Sequence, residues 1–313
     1  MNAGRSSDRP ASVTPMPEPA TTILTARSPQ GGDLEVLVGG PGEGLALLYH
    51  SGTPSGAVPF PLLQRATDRN GLRLVTYSRP GYGASAPRGE PGTLADDVAD
   101  SAAVLDAVGA GDFVTLGWSG GGPRAIACAA LLPGRCRAAA SLAGVGPWDA
   151  DGLDWFAGMG QENIDEFGAA TRGGAELQAW LTEHGTPSLR ASADQVADTL
   201  GGLVPPVDRA AITGEFAAYL AASFQHAGRQ GVGGWRDDDL LLTRPWGFDL
   251  GAIGVPVSVW QGEQDRMVPF GHGQWLAAHV GGADAHLEPG EGHLSLVAKA
   301  DRIVAELVDL AGA

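Results

Sequence analysis

The pentapeptide Gly117-Trp118-Ser119-Gly120-Gly121 constrains this chain more than any other feature. An apolar run, Phe113–Leu116, leads into it, and a run of small residues with helical character, Arg124–Ala130, follows. A G-x-S-x-G pattern between a strand and a helix marks a sharp turn in which the serine takes strained backbone angles. Glycines on either side remove the Cβ clashes that such a turn creates. Ser119 would then stand exposed above a helix N-terminus, placed as a nucleophile. The bland reading is a glycine-rich loop with an idle serine, and the strand before it and the helix after it weigh against that.

Such a turn belongs to a mostly parallel sheet, and the 313-residue sequence has the pattern for one. Short apolar runs alternate with amphipathic segments, which points to the α/β class. Strands are expected at Thr22–Ala26, Leu34–Val38, Leu45–Tyr49, Leu72–Tyr77, Phe113–Trp118, Ala138–Ala143, Val255–Trp260 and Ala285–Glu288. Helices are expected over Phe60–Arg69, Thr93–Val108 (capped by Thr93), Gly120–Leu132, Gly273–His279 and His293–Leu310. From Pro147 to about Phe248 the alternation breaks into helical candidates alone: Asp154–Ala170, Ala175–His184, Ala193–Leu200 and Asp208–Ala227. A helical insertion between two parallel strands lies over the C-terminal strand ends, where ligands bind. The expected organisation is a flexible tail over 1–19, a core formed by 20–147 and 245–313, and a helical cap over 148–244.

A serine hydroxyl is a weak nucleophile at neutral pH, so it needs a base, and the base needs an orienting carboxylate. With a strand-turn-helix nucleophile the partners follow in the order Ser, Asp, His. Of seven histidines, His293 sits in a glycine-bracketed loop, Pro289-Gly290-Glu291-Gly292-His293, after the last strand. Asp265 follows the strand Val255–Trp260, 28 residues before His293, and Met267-Val268-Pro269 restarts the chain beyond it. Asp149, Asp151 and Glu263 are the competing acids. The oxyanion of an acyl transfer needs backbone donors. His50-Ser51-Gly52-Thr53-Pro54 turns sharply after its strand, which offers the N–H of Thr53, and the second donor is the N–H of Gly120. The tight turn Ser78–Ser85 is expected to form a pocket wall and hold the oxyanion loop. His50 reads as structural rather than as a base. His50, Trp118, Trp155 and Phe156 are the substrate-side candidates, the last two from an aromatic-rich cap. Asp154, Glu162, Asp165 and Glu166 are expected on a solvated face of that cap.

These motifs resemble the α/β-hydrolase superfamily, in the lidded serine-hydrolase branch that includes proline iminopeptidase-like enzymes, carboxylesterases and cofactor-free haloperoxidases. The likeness covers about residues 20–147 and 245–311. It implies an α/β-hydrolase fold, a Ser119–Asp265–His293 triad, and oxyanion donors at Thr53 and Gly120. Peptidase relatives carry His-Gly-Gly-Pro-Gly where this chain has His-Ser-Gly-Thr-Pro, and many members have Asp where Ser78 or Arg79 stands. Both departures weigh against a peptidase. An aspartate nucleophile, as in epoxide hydrolases and dehalogenases, is excluded because Ser119 holds that position. The expected activity is cleavage of a small ester through an acyl-enzyme, with no cofactor. The alternatives are an iminopeptidase-like aminopeptidase, or a ligand receptor or cofactor-free peroxidase on the same scaffold.

Composition narrows the partners. Twenty basic against 36 acidic residues leave a net charge of −16, which repels phosphate backbones and anionic lipid heads. No apolar run is long enough to span a bilayer, and residues 1–20 lack the apolar stretch of a signal peptide. Two cysteines, Cys128 and Cys136, read as reduced structural thiols of a cytoplasmic protein. The glycine-rich stretch Val38–Gly44 fails as a dinucleotide motif because a strand follows it where a helix is needed. The expected partner is a small acyl molecule, not nucleic acid, a membrane or a metal; the sequence leaves a homodimer open.

Overall fold

The computed structural model describes residues 21–312, so the tail expected over 1–19 lies outside the described residues. Strands β1 (Thr21–Arg27) and β2 (Asp33–Gly39) form an antiparallel hairpin. The core then runs through β3 (Ala46–His50), α1 (Pro61–Arg69), β4 (Arg73–Tyr77), α2 (Leu94–Ala107), β5 (Phe113–Trp118), α3 (Gly122–Leu131) and β6 (Cys136–Leu142). A helical cap follows: α4 (Gln161–Arg172), α5 (Gly174–Trp180), α6 (Val196–Thr199), α7 (Pro206–Ala211), α8 (Gly214–Ala227) and α9 (Gly233–Leu242). The chain closes with β7 (Val257–Gly262), α10 (Phe270–His279), β8 (Asp284–Glu288) and α11 (Ala300–Ala311).

All eight strands join one sheet in the order β1-β2-β4-β3-β5-β6-β7-β8, parallel from β4 onward. This is an α/β-hydrolase fold with a helical cap inserted between β6 and β7. Every residue of β3, β4, β5 and β7 is buried, as befits strands covered on both faces by helices. Leu63 and Ala66 of α1 join Ile303, Val304 and Leu307 of α11 in one apolar cluster, while Val104, Leu105, Ile126 and Leu276 of α2, α3 and α10 belong to a second. Thr93 caps α2 through a reciprocal box with Asp96.

The helical spans differ from expectation where local geometry or distant partners intervene. The first cap helix starts at Gln161 rather than Asp154, because Gly158 turns the chain at φ +89°. The expected helix over 208–227 is split in two, with Gly214 at φ +52° at the break. Helix α9 escaped sequence reading because its run Arg236-Asp237-Asp238-Asp239 looks like a solvated loop. The terminal helix begins at Ala300, after a 3₁₀ stretch over Ser295–Lys299. Cys128 and Cys136 are both free and buried. Among the described residues, no helix is long and apolar enough to cross a membrane.

Candidate active site

Ser119 follows the last residue of β5 and takes φ +56°, in the left-handed region that non-glycine residues avoid. The glycines around it are there for space. A Cβ on Gly117 would lie 2.1 Å from the Gly121 carbonyl oxygen, and one on Gly121 would lie 2.0 Å from that of His50. Any larger residue at either position would push the turn apart. Helix α3 starts immediately beyond, so its N-terminal dipole end sits beneath the serine.

The strand ends bring the other polar groups to the same edge. His293 is buried, and its Nδ1 lies 2.8 Å from Oδ2 of Asp265, which fixes the tautomer with the proton on Nδ1. Asp265 is itself held on every side: its Oδ1 accepts the N–H groups of Met267 and Val268, each at 2.8 Å, and its Oδ2 accepts Gln261 Nε2 at 2.9 Å. Burial pulls the His293 imidazole down, but the charge and hydrogen bond of Asp265, with the charge of Asp208, outweigh it and raise the pKa above the ordinary value. Asp149, Asp151 and Glu263 are exposed, and none of them meets His293.

Thr53 and Gly120 face one another beside the serine. A Cβ on Gly120 would lie 2.6 Å from Thr53 Oγ1, and one on Gly52 would lie 3.2 Å from Ser119 Cβ. The turn carrying Thr53 is anchored by Arg79, whose guanidinium donates to the carbonyls of Ser51 and Gly52 at 2.8 Å each. Asp238 on α9 then ties the assembly to the cap. It accepts Thr53 Oγ1 at 2.8 Å, Tyr82 OH at 3.0 Å and Arg124 Nη2 at 2.6 Å, and pairs with Arg79. Burial would raise this carboxyl, yet Arg124 and Arg79 hold it at about 2. A charge this deeply buried is tolerable only with partners on both sides.

These groups open into one cleft of about 530 Å³, lined by Ser119, His293, Thr53, Gly120 and Trp118 from the core and by Phe167, Phe224, Trp235 and Leu242 from the cap. Three substrate-side expectations need correction. His50 points away into the core, with Nε2 3.7 Å from Cys128 Sγ, and burial followed by the charges of Arg124 and Arg79 drives its pKa to about 3. Trp155 is buried behind the cleft because its indole N–H needs the Gly146 carbonyl, 2.9 Å away; its ring packs edge-on to Phe167. Phe156 packs against Trp155 and Trp148 rather than lining the cleft. Of the cap acids, Asp154, Glu162 and Asp165 are exposed as expected, but Glu166 is buried.

Asp208 is a site residue that sequence reading missed. Fully buried on α7, it accepts the N–H groups of His293 at 2.9 Å and of Leu294 and Ser295 at 2.8 Å each. This carboxylate caps the turn carrying His293 from across the fold, which is why the terminal helix starts late. Asp208→Ala leaves three buried donors without an acceptor and should cost about 3 kcal/mol or more, read as a fall in Tm. Asp208→Asn keeps an acceptor oxygen and removes the charge. It should stay folded while the acid limb of kcat/KM moves to lower pH, because the imidazolium loses an anion that favours it. An unmoved limb would reduce Asp208 to a scaffold.

Comparison with known proteins agrees with this architecture. The alpha/beta hydrolase fold family model matches residues 44–300. The chain is 30% identical over 268 residues to a pimeloyl-[acyl-carrier protein] methyl ester esterase of Xanthomonas axonopodis pv. citri, covering 84% of this chain and 93% of that one. It is 26% identical over 269 residues to a non-heme haloperoxidase of Rhodococcus erythropolis, covering 85% and 92%. The crystal structure of a bromoperoxidase from Bacillus anthracis shares the fold at a TM-score of 0.68 and 16% identity, over 93% of this chain and all of that one (100%). A match running from β3 to the start of α11 spans six of the eight strands, the cap and every residue of the cleft, and on that ground the chain belongs to the alpha/beta hydrolase fold family.

Proposed function

We propose that this protein is a lidded serine hydrolase that cleaves small carboxylic esters through an acyl-enzyme on Ser119. The observation that carries the proposal is the strained Ser119 sharing a cleft with His293, whose other ring nitrogen is bound to buried Asp265. Ser119 Oγ attacks the acyl carbon while its proton passes to His293 Nε2. Negative charge on the carbonyl oxygen meets the N–H groups of Thr53 and Gly120, which Arg79 and Asp238 keep in position. Collapse expels the alcohol, which takes the proton from His293. Water then attacks the acyl-enzyme by the same route, releasing the acid and restoring Ser119. Asp265 keeps the imidazole oriented throughout and stabilises its cationic form. The methyl ester esterase among the relatives supports an ester over an amide.

The acyl group carries no negative charge. Five carboxyl side chains (Glu162, Asp165, Glu166, Glu183 and Asp239) line the cleft, and among the described residues no Arg or Lys does. A butyryl and a hemisuccinyl ester of 4-nitrophenol, compared in one buffer, should differ in kcat/KM by about tenfold or more in favour of butyryl. A preference for hemisuccinyl would refute the neutral-acyl reading. Hydrolysis of neither ester would count against the esterase itself.

A further inference from the structure

The cap side of the cleft holds two carboxyl groups that the hydrolytic steps do not use. Glu166 on α4 and Asp239 on α9 both line it and both are buried. Trp235 Nε1–H donates to Glu166 Oε1 at 2.6 Å, whereas neither oxygen of Asp239 has a hydrogen-bond partner among the described residues. Burial raises both carboxyls above the ordinary range, and the charge of Glu166 pushes Asp239 further up. Such a pair is expensive to bury, and apolar residues of similar size would pack the same space at least as stably. The nearby cation, Arg124, is committed to Asp97 and Asp238.

The position of Asp239 along α9 places it near the chemistry. Leu242 Cδ1 lies 3.4 Å from where a Cβ on Gly120 would stand, and Asp239 precedes Leu242 by three residues, close to one helical turn, or about 5 Å. We propose that Glu166 and Asp239 form a subsite for a protonated amine carried by the substrate, a few bonds from the scissile carbonyl. This deepens the hydrolase reading and rests on the cleft being its substrate site. An ammonium group brings three donors to carboxyl oxygens that lack them, and its positive charge compensates two carboxyl groups buried side by side.

The test is binding, so it does not depend on turnover. The dissociation constants of 4-phenylbutylamine and 4-phenylbutan-1-ol, which differ only in the terminal group, are measured by calorimetry on the full chain. The wild-type protein should bind the amine about tenfold or more tightly, and should keep that advantage in 1 M salt, where the Debye length of about 3 Å screens the exposed rim acids Glu162, Asp165 and Glu183. Glu166→Gln and Asp239→Asn should bring the two ligands to within about threefold of each other, since each removes one carboxyl of the pair. Equal binding by the wild-type protein, an amine advantage that vanishes in salt, or one that survives both substitutions would overturn the proposal. The wild-type comparison stands even where a variant fails to fold. Loss of fluorophosphonate labelling at Ser119 is a separate readout, so the hydrolase reading and the subsite fail independently.

Discussion

Ser119→Ala is expected to reduce kcat for 4-nitrophenyl butyrate to below about a thousandth of the wild-type value and to abolish fluorophosphonate labelling. Residual turnover at or under that level is what binding and the oxyanion donors supply alone. The substitution removes one oxygen from a cleft wall and leaves the backbone at the same strained angle, φ +56°. Neither Gly117 nor Gly121 can take up the turn differently, because their Cβ positions are occupied by the carbonyls of Gly121 and His50. The variant should therefore melt within a degree or two of the wild-type protein, a small shift for a surface-facing change of this kind. Its loss of activity then reads as lost chemistry and not as unfolding. A kcat above a thousandth, with the melting temperature unchanged, would assign the nucleophile elsewhere in the cleft. The strain itself is worth about 1–3 kcal/mol and persists because the close-packed glycines over-determine the turn.

What the sequence discloses and what it conceals follow from the range of the interactions. The turn at Ser119 is local: a strand, two glycines and a helix start within ten residues specify it, and all are visible in order. Asp265 is legible for a similar reason, since its own loop, through Met267 and Val268, supplies the donors that hold it. Asp208 and Asp238 are not legible. Asp208 finds its partners 85 to 87 residues away in the His293 turn, and Asp238 meets Thr53 185 residues away. On its own helix each reads as an ordinary acidic residue facing water, and only the folded sheet edge turns it inward. Glu166 misleads in the same way, one helical position beyond exposed Asp165 yet buried against Trp235. Trp155 shows the converse error. Its aromatic character was legible, but the demand of its indole N–H for the Gly146 carbonyl was not, and that bond places the ring behind the cleft.

Asp265→Asn should lower kcat by about 10⁴-fold while Asp149→Asn leaves it within twofold. The asparagine retains the shape of the aspartate, and its oxygen still accepts from Met267 and Val268, which leaves the amide NH₂ turned toward His293. An amide there donates a hydrogen bond instead of accepting one, so Nδ1 must become the acceptor and the proton moves to Nε2, the nitrogen that takes the proton of Ser119 in the proposed mechanism. The base is then in the wrong tautomer for its task. The pH profile separates this from a loss of folding. In the wild-type protein the Asp265 charge outweighs burial and raises the His293 pKa above its ordinary value, and with neutral His293 as the proposed base, activity is expected to fall as pH drops through that raised pKa. Removing the charge leaves burial to act with less opposition, and the acid limb of the residual activity should move to lower pH. Asp149 is exposed and has no contact with His293, so its substitution touches neither the tautomer nor the titration. A large loss on Asp149→Asn with a mild one on Asp265→Asn would move the orienting acid to the end of β6, and the hydrogen bond between Asp265 and His293 would then be structural.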